Sequence, residues 1–517
     1  MPDGAEMNGA ESVVRSLHQA GLRVCFANPG TSEMQFVDAL DRTGLLRCVL
    51  CLFEGVATGA ADGYARMAQV PAVTLLHLAP GLANAGANMH NARKARSPMV
   101  NLVGDHAVRH AGYNAPLTAD VAGACAPFSD WVRTATSPET FAADAMAALD
   151  AALSRPNKVA SLIAPADIGW DRGGQMAAPP EPPEFAVLSS KDVANAAALL
   201  GPETVILVSG RVLETPEALA ALHGICQHTG ATFYAPTSSR RFERGAGRAG
   251  VTRVPYPIDM ALETLAPFRR AVLIETVLPV AFFAYPGRPS LLLPEDCEVF
   301  TLAGLDGDGP MAVAALADHL GAAPHVPAPR PLPKKPSAGP ITPATMAAAV
   351  AHALPKDAII VDESITSGRE VWGATNDAAP HSWISLAGGA IGEGIPLALG
   401  ASIACPERPV LCLQADGSAM YTIQGLWSQA REGTNVTTVI MANRTYQILK
   451  TELFAVGANP GRSALDMLDL DRPELDFTTL ARGMGVPGRR VTDAAALCTA
   501  IAEAMAEPGP YLIEAMM

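Results

Sequence analysis

The stretch Ala415–Tyr446 reads ADGSAMYTIQGLWSQAREGTNVTTVIMANRTY. Asp416 closes an apolar run, PVLCLQAD, and Asn443 closes a second, NVTTVIMAN. Both runs read as strands, with one helix expected between them. Open parallel sheets bind ligands beyond the carboxyl ends of their strands, where both residues would stand. A carboxylate, an amide oxygen and a backbone carbonyl are hard oxygen donors. They suit Mg²⁺, which keeps few protein ligands and completes its shell with phosphates and water. Gly417 and Ser418 then open a helix whose free N–H groups favour a phosphate. The same residues also fit a plainer arrangement, an Asp N-cap followed by an unrelated turn Asn.

The surrounding segment repeats the scheme, with DAIIVDES, WISLAGG, PVLCLQADG, NVTTVIMAN and PYLIEAMM as strands and IGEGIPLALGASIA as a helix. Two proline-rich stretches precede it, AAPPEPPEF (Ala177 to Phe185) and HVPAPRPLPKKPSAGPITP (His325 to Pro343). Such runs cannot continue a helix or enter a sheet, so they read as semi-rigid linkers. They leave three segments: 1–178, 186–325 and 341–517. The first alternates strands (LRVCFANPG, LRCVLCLFEG, PAVTLLHLAPG, PMVNLVGD) with helices. In TSEMQFVDAL, Thr31 or Ser32 is the expected N-cap. The middle segment has the same rhythm, with ETVILVSG, ATFYAPT, RAVLIET and CEVFTLA as strands. The fold class is α/β, as three successive doubly wound parallel-sheet domains.

A chain of 517 residues fits about three domains of roughly 100–200 residues each. Lys and Arg number 37 against 51 Asp and Glu, a net charge of −14. That argues against a nucleic-acid or anionic-membrane partner. No basic region followed by an apolar core opens the chain, and no apolar run is long enough for a bilayer. Nine cysteines do not make a disulfide framework in a chain this long. Cys48 and Cys51 have metal-like spacing, but RCVLCLFEG reads as a buried strand with no second Cys/His pair near it. A cytoplasmic enzyme is the expectation.

The opening stretch resembles the thiamine diphosphate signature, in which Gly-Asp-Gly is followed after about thirty residues by Asn. Ala415 replaces the first Gly of that pattern, while Asp416 and Asn443 are kept. The resemblance covers the first and third segments well and the middle one weakly. It is to the acetolactate synthase large subunit and benzoylformate decarboxylase group. It implies a pyrimidine-binding domain, a central domain and a diphosphate-binding domain in that order. It further implies that Asp416, Asn443 and the Thr445 carbonyl hold Mg²⁺ on the diphosphate.

Other site residues follow from the same resemblance. Glu54 ends RCVLCLFEG ahead of an Ala/Gly helix, so it should be partly desolvated and seek a donor. The helix dipole alone would also favour it there. In the family, the matching Glu bonds the aminopyrimidine ring and promotes the tautomer that activates the cofactor. GGAIGEGIP (Gly388 to Pro396) resembles the segment whose bulky side chain wedges under the cofactor, which makes Ile391 the wedge beside Gly389. DESITSGRE resembles the diphosphate-contacting loop, with Ser364 and Thr366 as contacts. Glu393 has no counterpart in that pattern.

His77, in LLHLAPGLAN, stands where the decarboxylase has an active-site His and synthases usually have a small polar residue. It closes a strand at the ligand edge, which favours proton transfer over a packing role. Thr31, in ANPGTSE, falls where the decarboxylase has a substrate-facing Ser. The decarboxylase's second His is missing from APTSSRRFERGAG, where Arg240, Arg241 and Arg244 suggest an anionic substrate or simply a basic loop. No flavin pattern is evident in the middle segment, so FAD is not expected. The expected activity is thiamine-dependent decarboxylation or carboligation of a small-molecule 2-keto acid. Alternatives are acetolactate synthesis, a 2-hydroxyacyl-CoA lyase, or an inactive cofactor-binding paralogue. Family members share active sites between subunits, which implies a homodimer or homotetramer.

Overall fold

The computed structural model describes residues 6–517. The first five residues, part of segment 1–178 and of the stretch read as leader-free, lie outside the described residues. The first segment folds on β1 (Val24–Asn28), β2 (Arg47–Leu50), β3 (Ala72–Leu76), β4 (Met99–Asp105), β5 (Trp131–Thr134) and β6 (Val159–Pro165). All pair in parallel, in the order β2-β1-β3-β4-β6-β5. The sequence reading names the first four strands. It passes over β5, which is half-exposed and short, and β6.

The middle segment supplies β7 (Thr204–Val208), β8 (Thr232–Tyr234), β9 (Phe242–Arg244), β10 (Arg270–Ile274) and β11 (Glu298–Ala303). Four of them form a parallel sheet, β11-β10-β7-β8. The third segment supplies β12 (Ile359–Glu363), β13 (His381–Ser385), β14 (Val410–Ala415), β15 (Val436–Ala442), β16 (Gly488–Val491) and β17 (Tyr511–Met516). Its order is β16-β17-β15-β14-β12-β13, and β9 crosses over to add antiparallel at β13. Apart from β9, the first and third sheets have the same strand order. Strands wind to opposite sides from a point between β1 and β3, between β7 and β10, and between β12 and β14. Ligand crevices are expected at these three points, beyond the strands' carboxyl ends.

Backbone strain marks the same edges. Four non-glycine residues with left-handed φ follow a strand end within two residues. They are Leu78 (51°) after β3, Glu275 (51°) after β10, Ile365 (53°) after β12 and Arg444 (58°) after β15. Such a conformation costs of order 1–3 kcal/mol and is most adverse for a β-branched residue such as Ile365. It persists at sites where the surroundings hold it in place.

The first and third domains meet through the helices Glu54–Ala68 and Gly394–Ala404. Small residues let the backbones touch: a Cβ on Gly400 would lie 1.8 Å from the Ala60 carbonyl oxygen. Arg66 is fully buried in this seam. It donates to Asp62 at 2.5 and 2.8 Å, to Glu393 at 2.8 Å and to the Ser385 carbonyl at 2.6 Å. Glu393 thus has a structural role that the sequence left blank. Burial pushes its carboxyl well above the usual carboxylate range against the pull of Arg66, a direction that favours a proton on Glu393 while Arg66 serves Asp62. Arg66→Ala would strand a buried carboxylate and is expected to cost about 3–5 kcal/mol in urea unfolding. Glu393→Gln, which keeps the shape and the neutral state, should cost far less. Equal losses would contradict this protonation.

The basic loop is also structural. Arg244 is buried, its guanidinium 3.4 Å from the Trp372 ring centroid. Arg241 pairs with Glu243 and Arg240 with Glu214. All three have internal partners, so the loop does not present three free charges to a substrate. Cys48 is exposed and Cys51 buried. Among the described residues no cluster of three or more His, Cys, Asp or Glu could hold a metal. No described helix is long and apolar enough to cross a membrane.

Candidate active site

Two strand edges collect the residues singled out in the sequence. At the first sheet's switch point, Thr31 follows β1 and His77 follows β3. Thr31–Glu33 is a single 3-10 turn leading into the helix Met34–Thr43. Neither Thr31 nor Ser32 caps that helix, contrary to expectation. Instead Glu33 turns back and accepts from the Gly30 N–H at 2.7 Å. The same Glu33 Oε2 lies 2.8 Å from His77 Nδ1. Glu33 is fully buried, and burial raises its carboxyl above the ordinary range while the His77 and Gly30 contacts oppose the rise. Accepting from Nδ1–H would fix the imidazole's tautomer and leave Nε2 free for proton transfer.

Glu54 stands at the start of its helix, 5% exposed. Asn84 donates to its Oε2 at 3.0 Å. Gly81 joins it to His77: a Cβ there would lie 2.7 Å from Glu54 Oε1 and 3.2 Å from His77 Cβ. Gly81 thus sets Glu54 beside His77, and Glu33 ties His77 to the turn that holds Thr31. A cavity of about 670 Å³ opens beside it, lined by Thr31, His106, Arg109 and His110 among others.

The second edge belongs to the third sheet. Asp416 directly follows β14 and is 3% exposed. Its oxygens accept from the Gly417 N–H at 2.8 Å and the Arg444 N–H at 2.6 Å. Burial raises this carboxyl despite those N–H groups, and among the described residues no salt bridge reaches it. Asn443 Oδ1 accepts from the Thr445 N–H at 3.1 Å, across the left-handed Arg444. Gly417 and Ser418 lie in a four-residue helix, Asp416–Ala419, and a second helix, Gly425–Glu432, follows. The single expected helix is thus two, broken by the turn around Tyr421 and Thr422.

Ser364 and Thr366 flank the strained Ile365 at the end of β12, and Ser364 donates to Asp362 at 2.5 Å. Gly389 and Ile391 lie in a loop pinned by the helix that begins just after His77. Asn91 donates to the Ala390 carbonyl at 2.7 Å and Asn88 to that of Gly392 at 3.2 Å. Glu363 accepts from the Gly392 and Gly394 N–H groups, both at 2.6 Å, and from Gln414 at 3.0 Å. Gln414 in turn donates to Ser418 at 2.6 Å. Among the described residues no hydrogen bond joins the Glu54–His77 edge directly to the Asp416–Asn443 edge. Sequence reasoning missed Glu33, Asn84, Glu363 and Ser367, the last of which accepts from Asn443 at 3.1 Å. A buried acid two residues past Thr31 was a usable signal for Glu33. The others carry none, because their partners lie far away in sequence.

The donors fit a hard cation. Asp416 is a buried carboxylate with no salt bridge among the described residues, and its bond from the Arg444 N–H ties it to the turn that carries Asn443 and Thr445. Comparison with known proteins bears on what the cation accompanies. Residues 7–124 match the description "Thiamine pyrophosphate enzyme, N-terminal TPP binding domain". Residues 368–515 match "Thiamine pyrophosphate enzyme, C-terminal TPP binding domain". A Mycobacterium tuberculosis protein named as an acetolactate synthase large subunit is 48% identical over 517 residues, covering 99% of each chain. The chain belongs to the thiamine pyrophosphate enzyme family.

Further relatives of this thiamine enzyme carry both kinds of name. A benzoylformate decarboxylase of Pseudomonas aeruginosa is 28% identical over 529 residues, 96% of each chain. The solved thiamine diphosphate-dependent 4-hydroxybenzoylformate decarboxylase of Rhodococcus jostii superposes with a TM-score of 0.84 at 26% identity, covering 99% of each chain. The family makes and breaks carbon–carbon bonds, and its two cofactor-binding domains coincide with the sheets that carry the two edges.

Proposed function

We propose that this chain is a thiamine diphosphate- and Mg²⁺-dependent decarboxylase or carboligase of 2-keto acids, of the benzoylformate decarboxylase type. The observation that carries this reading is the Glu33–His77 pair beside the buried Glu54 at the first switch point. Asp416, Asn443 and the Thr445 carbonyl would hold Mg²⁺. Ser364, Thr366, Gly417 and Ser418 would face the diphosphate, with Gly389 and Ile391 under the rings. When bound, thiamine diphosphate supplies a carbon nucleophile and accepts the electron pair released with CO₂. Glu54 would hold a proton at the aminopyrimidine ring, with Asn84 fixing its orientation. Thr31 would bind the substrate carboxylate. His77 would deliver a proton to the carbon that has lost CO₂, which commits it to aldehyde release. The assignment includes domains 1–178, 186–325 and 341–517, a homodimer or homotetramer sharing its sites, and a cytoplasmic location.

Acetolactate synthesis is the second reading, favoured by the name of the 48% identical relative. A synthase must delay protonation until a second carbonyl arrives, so His77 separates the two. His77→Ala is expected to lower aldehyde release by about a hundredfold or more, as for a lost general acid. Carboligation should fall less. Glu33→Gln removes the carboxylate that orients the ring through Nδ1, so aldehyde release should fall, though less than in His77→Ala, with little loss of stability. Aldehyde and condensed product, measured from one accepted keto acid, check both. Equal loss of both products through KM alone would reduce His77 to a pocket wall and favour the synthase.

A further inference from the structure

The proposed reaction uses the switch points of the first and third sheets and leaves that of the middle sheet unassigned. There Ser209 and Gly210 follow β7 and the strained Glu275 follows β10. A cavity of about 200 Å³ opens between them, walled by Arg96, Arg155, Arg211, Arg240, Phe185 and Glu275. Arg155 and Arg211 lie against the same Phe185 ring, their guanidinium carbons 4.1 and 4.7 Å from its centroid. Arg155 Nε is buried without a hydrogen-bond partner. Burial first, then Arg211 and Arg240, pull the Arg155 guanidinium below its ordinary range. Arg240 pairs with Glu214, and Arg211 lies 3.0 Å from Asp308. With Lys94 also on the wall, five basic residues and one acid, Glu275, line the cavity, while Asp308 and Glu214 pair with Arg211 and Arg240 from outside that lining.

Glu275 decides what can enter. Its Oε2 accepts from the Arg211 and Val212 N–H groups at 2.5 and 3.3 Å, and its Oε1 from Gly309 at 3.0 Å. Backbone N–H groups just past a strand–glycine turn are where a dinucleotide's pyrophosphate sits in doubly wound folds. In this chain a carboxylate already holds that seat. The cavity is also smaller than the roughly 300–1,000 Å³ typical of organic-ligand pockets.

We propose that this crevice is a binding site for a small phosphate-type dianion, held by Arg96, Arg155 and Arg211, and that it excludes a dinucleotide. The site goes beyond the catalytic reading and does not depend on it. Arg96 and Arg155 come from the first segment and Arg211 from the middle one, so the ligand would tie the two together.

The test uses the full-length protein saturated with thiamine diphosphate and Mg²⁺, which keeps phosphate out of the diphosphate site. Inorganic phosphate is titrated by calorimetry and thermal shift against chloride at matched ionic strength, with ADP and FAD as separate arms. Phosphate is expected to raise Tm by a few degrees above the chloride control. Arg155→Gln and Arg211→Gln should each weaken phosphate binding by about tenfold or more, as expected when a charge-assisted contact is lost. Testing them separately leaves one to read if the other misfolds, and direct calorimetry on the unmodified protein stands apart from both. No phosphate-specific signal, an unchanged affinity in a folded variant, or tighter binding of ADP or FAD than of phosphate would overturn the proposal.

Discussion

Glu54→Gln is expected to lower turnover by about a thousandfold, within the range for a lost proton-transfer group. The amide has the carboxyl's shape and can still meet Asn84, so the fold and the Gly81 gap should survive. It cannot hold the proton that the carboxyl manages at the aminopyrimidine ring. The variant should therefore bind thiamine diphosphate almost as well as the parent, as seen in quenching of intrinsic fluorescence, while producing almost no product. Near-normal turnover would show that Glu54 is only a favourable charge at a helix start.

Asp416→Ala should act on binding. Asp416 is the one charged oxygen donor proposed for Mg²⁺, and it is buried with only N–H partners. Losing even a residue that supports a metal ligand typically costs 10–100-fold in affinity, so losing the ligand itself should cost more than about a hundredfold. The readout is cofactor retained after gel filtration with and without Mg²⁺. Tight, Mg²⁺-dependent retention in this variant would sink the metal assignment. Mixing Glu54→Gln with Asp416→Ala subunits adds a check on shared sites. If sites are built from two chains, hybrid dimers hold one intact site and some activity returns. No recovery despite demonstrated subunit exchange would argue for sites within one chain.

Much of this site could be read from the chain because strand ends advertise themselves. A long apolar run closed by Asp416 or Asn443 fixes both the strand and the edge on which the polar group stands. His77 and Glu54 were legible for the same reason. The single turn at Thr31 was not, because its cap comes from the acid two residues later. Nor was the break between Ala419 and Gly425, where no proline signals it. Glu363, Asn84 and Glu393 act through partners that only the folded chain brings near, such as Arg66, which is 327 residues from Glu393. The transfer of β9 to the third sheet was equally hidden, since FER carries no sign of which sheet it joins.

Incubating the protein with thiamine diphosphate, Mg²⁺ and a panel of 2-keto acids, while following CO₂ and organic products together, separates a working decarboxylase from the other readings. CO₂ release from at least one acid is expected, dependent on both additions, with the matching aldehyde as the main product. Cofactor binding without CO₂ release from any acid would contradict the decarboxylase reading and would point to an inactive paralogue or to a 2-hydroxyacyl-CoA substrate.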